Sequence, residues 1–64
     1  MIPKEPEMLL SYVNMKLRDR YASFEEMCED MDLDPEEIRT ILAGAGYRYD
    51  GTANRYQAEI KTVR

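Results

Sequence analysis

The chain has no histidine and no tryptophan, a single cysteine and only three glycines in 64 residues. Each shortage narrows what the protein can do. Without histidine, the side chain that most often serves as general base or metal ligand near neutral pH is missing. A lone cysteine, Cys28, cannot close an internal disulfide, so the sequence carries no mark of an oxidising compartment. No apolar run approaches the roughly 18 residues that a bilayer-spanning helix needs. The opening Met1-Ile2-Pro3-Lys4-Glu5-Pro6 lacks the unbroken apolar stretch of a secretory signal. A cytoplasmic protein without membrane contact is the expectation, and no repeat, linker or low-complexity tract divides the chain.

One further absence is local. Residues 22–38 contain no basic side chain and eight acidic ones. The segments on either side, 1–21 and 39–64, carry small positive balances, and the whole chain sums to −4. An acidic middle between mildly basic ends is a polarised surface, which bears on the choice of partner.

What is present is the composition of a folded domain, 44% apolar and 34% charged. At this length it is one domain, 1–64, near the lower limit for a chain that folds without disulfide or metal, so help from a partner or a second copy is plausible physics. The apolar spacing predicts a first helix over about 6–21. Proline at its first turn is harmless, because that N–H lacks an intrahelical partner anyway. Leu9, Leu10, Val13, Leu17 and Tyr21 share one arc of the wheel and face a core. Met8, Tyr12 and Met15 cluster on nearly the opposite side, which leaves the helix apolar on two faces.

Ser23-x-x-Glu26 is a capping box that opens a second helix over about 24–31. Phe24, Met27, Cys28 and Met31 follow at amphipathic spacing. Asp34-x-x-Glu37 repeats the device, with Pro35 at the first helical position of a third helix over about 35–44. Leu33 and Ile38 can staple its entry. Ile38, Ile41, Leu42 and Ala45 make its apolar stripe, and Gly44 or Gly46 stops it. Beyond Gly46 the period changes from 3.6 to 2. Tyr47 and Tyr49, then Tyr56, Ala58 and Ile60, alternate around the turn residues Asp50-Gly51-Thr52-Ala53-Asn54, which predicts a β-hairpin over about 46–60. The resulting fold class is α+β: three short helices followed by a C-terminal hairpin, winged helix-turn-helix-like.

At this point the sequence resembles a family of short bacterial proteins of unknown function. The likeness is carried by Ile2-Pro3-Lys4-Glu5-Pro6, Met8-Leu9-Leu10-Ser11, Asn14, Lys16-Leu17-Arg18-Asp19, Tyr21 and Ser23. It continues through Gly46-Tyr47-Arg48-Tyr49, Asn54 and Tyr56. The resemblance implies a bacterial, cytoplasmic protein and supplies no activity. The stretch from Ser23 to Tyr56 also resembles the helix-turn-helix and wing of some small regulators.

Candidate chemistry is thin. Cys28 lies on the inner stripe of its helix beside Glu25 and Glu29, where burial and negative charge oppose a thiolate. The acids from Asp30 to Glu37 alternate as in a calcium loop, but Pro35 stands where that loop needs glycine and Ile41 where it needs its last ligand. Neither an enzyme nor a cofactor is expected. Two binding readings remain. The first is a protein-interaction module that self-associates through helix one, with Met8, Tyr12 and Met15 as its interface. Unless the hairpin or a tail through Ile60 and Val63 covers that stripe, a second copy is the simplest partner. The alternative is a small DNA-binding regulator using a basic wing, with Arg39, Arg48, Arg55 and Lys61 as contacts. Acidic charge disfavours it, because phosphate neutralisation supplies most non-specific affinity. Asn14 is expected to hold a buried main-chain group, Arg18 to meet the acids of helix two, and the tyrosines of the hairpin to pack on the helices.

Overall fold

A computed structural model describes residues 2–59. Three helices, α1 (Pro6–Asp19), α2 (Phe24–Met31) and α3 (Pro35–Gly44), precede two strands, β1 (Tyr47–Asp50) and β2 (Arg55–Ala58). The strands form one antiparallel hairpin in which Tyr49 faces Tyr56 and Arg48 faces Gln57. The α+β order expected from the change of period is the order observed. No helix of the described residues is long and apolar enough to cross a membrane.

Local chemistry accounts for the helix ends. At α2, Ser23 Oγ accepts from Glu26 N–H, and Glu26 Oε1 reaches back one residue further than a standard box, to Ala22 N–H. Its C-cap, Asp32, is left-handed at φ 58°. Two residues on, Asp34 Oδ1 accepts from Glu36 N–H and starts α3. Glu37 does not complete that box; its carboxylate is taken instead by Lys4 from the N-terminal arm. The first helix ends at Asp19 rather than at Tyr21. There Arg20 and Tyr21 both donate to Lys16 O, and the side chain of Asn54 takes the next free carbonyls.

The three helices and β2 feed one core. Leu9, Val13 and Leu17 come from α1, Phe24, Met27 and Cys28 from α2, Ile38 and Leu42 from α3, and Tyr56 from β2, all buried. The 3.6-residue spacing of the helical members puts each set on one stripe, and the stripes meet. A two-stranded hairpin is unstable alone in water. Here Tyr49, Tyr56 and Phe24 stack mutually, with ring centroids 5.2 to 5.7 Å apart, and this joins the hairpin to α2.

Candidate functional site

Two asparagines weld the hairpin to α1 and thereby shape the surface beside it. Asn14 points from α1 to the middle of β2, where its Nδ2 donates to Tyr56 O at 2.9 Å and its Oδ1 accepts from Tyr56 N–H at 2.8 Å. One amide side chain thus satisfies both outward main-chain groups of Tyr56. Asn54 sits at the end of the turn with φ 56°, a conformation asparagine tolerates better than other non-glycine residues. Its Nδ2 donates to Leu17 O and Tyr21 O, and its Oδ1 accepts from the Tyr49 hydroxyl at 2.6 Å. Tyr49 Oη in turn accepts from Phe24 N–H. The chain of bonds runs from the end of α1 through the hairpin to the start of α2.

Between α1 and the hairpin turn lies an open cleft of about 690 Å³, lined by Leu10, Met15, Leu17 and Arg18 from α1 and by Asn54 and Arg55 from the hairpin. The second apolar face of α1 adjoins it through Met15. Met8 is 59% and Met15 45% exposed, the two large apolar side chains left open by the described residues. Tyr12, predicted to join them, is half-buried against the core, with the Lys16 ammonium 5.6 Å from its ring centroid. The structure therefore brings Met8 and Met15 to one exposed stripe and sets Tyr12 at its boundary. Ile60 and Val63, considered as a cover for that stripe, lie outside the described residues.

Each of the described basic candidates has a partner of its own. Arg39 is bound by Glu36 one helical turn earlier, and this partner raises its pKa. Arg48 faces Glu59 at 3.7 Å, and Arg55 donates to Gln57. Lys61 lies outside the described residues. Arg18, expected to meet the acids of α2, is turned to its neighbour Asp19, Nε to Oδ1 at 3.0 Å. This bond raises the arginine pKa and lowers that of the carboxylate. The contact needs only adjacent exposed side chains long enough to bend along the helix surface, which a wheel projection does not convey.

Cys28 is buried, and burial is the main cause that pushes its thiol up. Its charged neighbours are Asp34, which adds to the rise, and Arg39, which opposes it. Both sit on α3 or its cap, not on the flanking positions Glu25 and Glu29. Tyr56 is also pushed up by burial, and its hydroxyl has no hydrogen-bond partner among the described residues. The nearby Arg39 guanidinium opposes that rise without meeting hydrogen-bond geometry. Tyr21 donates its hydroxyl to Asp30 at 2.6 Å, and this bond raises its pKa.

A small α+β domain with a welded hairpin and an exposed methionine stripe is the class these features define. The chain belongs to the family described as Domain of unknown function (DUF4250), which matches residues 3–56. No curated protein and no solved structure matches it.

Proposed function

We propose that this chain is a non-enzymatic protein-interaction module whose contact surface is the outer face of α1, and that a second copy is its simplest partner. The observation that carries the reading is the exposure of Met8 and Met15, seven residues apart on one stripe of a 14-residue helix. Fully burying a methionine removes apolar area worth roughly 1.5–3 kcal/mol. Methionine also adapts its shape to an incoming surface, which suits a contact face. Arg18 and Arg55, which line the cleft, offer positive charge beside it, and the acidic α2 of a second copy supplies the complement. The absence of histidine and the buried, high-pKa Cys28 support a role without catalysis.

The DNA-binding alternative draws support from the order of elements, which is that of a winged helix-turn-helix. The placement of its cations supports it less. Arg39 and Arg48 are each turned to a carboxylate, and Glu36 and Glu37 lead the helix that would enter the groove. Acids at that position repel phosphate.

Light scattering across a concentration series tests the proposal. The mass of the wild type rises with concentration, and Met8→Glu plus Met15→Glu removes the rise contributed by α1 while far-UV circular dichroism stays native. A wild type whose mass is that of one chain at every concentration, or a double variant that associates as tightly as the wild type, overturns it.

A further inference from the structure

Among the described residues, the outer main-chain edge of β1 is open. In an antiparallel ladder, facing pairs alternate between those that exchange main-chain hydrogen bonds and those that do not. Two observations fix the phase here. Glu59 N–H donates to Gly46 O at 2.8 Å, so the pair one step before Tyr47–Ala58 is a bonded one. Asn14 occupies the N–H and C=O of Tyr56 from outside the hairpin, so Tyr49–Tyr56 is a non-bonded pair. Tyr47 and Tyr49 therefore turn their N–H and C=O groups away from β2. No described residue bonds to any of those four groups. At Tyr56 the edge of β2 is closed by an asparagine; on β1 no described residue fills the matching edge.

An open edge is a template for another strand, and proteins that leave one open either protect it or use it. We infer that β1 is a strand-pairing edge whose occupant is the β1 of a second copy, antiparallel, with Tyr49 opposite Tyr49 across a two-fold axis. Charge selects this register. Tyr47 opposite Tyr49 sets Arg48 directly on the second copy's Arg48, which is unfavourable. Tyr49 opposite Tyr49 sets each Arg48 on the other copy's Asp50. Those two pairs are of the closer, non-bonded kind, with Cα atoms about 4.5 Å apart. The same register lets both copies of Tyr49 exchange main-chain bonds and gathers the half-buried Tyr49 rings on the inner face. Tyr47 then meets Gly51, where no side chain obstructs. Arg48 is free to turn, since its contact to Glu59 is long and exposed.

This contact is separate from the methionine stripe, because α1 packs on β2 and its Asn14 fills the other edge of the hairpin. A chain using both surfaces assembles beyond a dimer, and the background Met8→Glu plus Met15→Glu isolates the edge. Sedimentation velocity in that background provides the test. Arg48→Asp alone and Asp50→Arg alone each weaken association by about tenfold, since each turns two attractive pairs into repulsive ones. An equimolar mixture of the two restores it, because one chain then offers acids at both positions and the other offers arginines. Amide exchange needs no charge change and covers the case in which Asp50→Arg disturbs the turn, where Asp50 Oδ1 accepts from Thr52 N–H. Protection of Tyr47 and Tyr49 rises with protein concentration, while that of Arg48, whose N–H lies inside the hairpin, stays constant. A background variant that never associates, a mixture of two folded variants that fails to recover, or exchange at Tyr49 that ignores concentration overturns the inference.

Discussion

The Tyr56 hydroxyl is buried in the core beside Cys28 and Arg39 with no partner among the described residues. A buried polar group without a hydrogen bond costs roughly 1–3 kcal/mol. Tyr56→Phe removes that cost and keeps the ring that stacks on Phe24 and Tyr49, so the variant is more stable at pH 7 by about 1 kcal/mol. The same residue governs behaviour in base. Cys28 and Tyr56 both have pKa values raised by burial in the folded state. Groups raised in this way contribute stability that is fully present below their unfolded values and is lost as pH rises through the folded ones. Thermal stability is therefore flat through neutrality and falls above the ordinary thiol and phenol ranges, about 8.5 and 10. Thermal melts from pH 7 to 11 check both points. Tyr56→Phe shows a shallower alkaline fall than the wild type; a variant less stable than the wild type at pH 7 means that the hydroxyl has a partner.

Between elements, the seam of α1 with β2 depends on one side chain. Asn14→Ala leaves the Tyr56 N–H and C=O without their partners and costs about 2–3 kcal/mol. That is a large share of the stability of so small a domain. Urea unfolding reads it as a lowered midpoint with an unchanged slope, whereas a midpoint within experimental scatter of the wild type assigns the seam to apolar packing alone. This seam also shows what the sequence discloses. The helical stripes and the alternation around Tyr47, Tyr49 and Tyr56 are periodic, so they announce three helices and a hairpin before any coordinates. Asn14 at the rim of the apolar arc of α1 signals a main-chain role, though not which strand it serves. Asn54 gives a weaker signal, because turn chemistry alone explains an asparagine there. Its service to the end of α1 depends on residues 33 and 37 positions earlier, a separation no local pattern encodes. Glu37 and Arg18 mislead for a different reason. Their partners, Lys4 and Asp19, are set by side-chain reach across the surface rather than by helical spacing. The open edge of β1 is invisible in sequence, since it depends on the phase of the ladder.

At the scale of the whole molecule, one core gathers the inner faces of three helices and a strand, and the described residues leave Met8 and Met15 on the outer face of α1 exposed. The chain's charge is polarised as well, acidic through α2 and the start of α3 and mildly basic elsewhere, so salt should weaken any contact that pairs those regions. The methionine stripe is the centre of the account, and methionine methyl groups report on it directly. In a spectrum of selectively methyl-labelled protein recorded over a dilution series, the Met8 and Met15 resonances move with concentration, while that of Met27, wholly buried in the core, does not. Resonances of Met8 and Met15 that hold their positions over the whole series contradict the account.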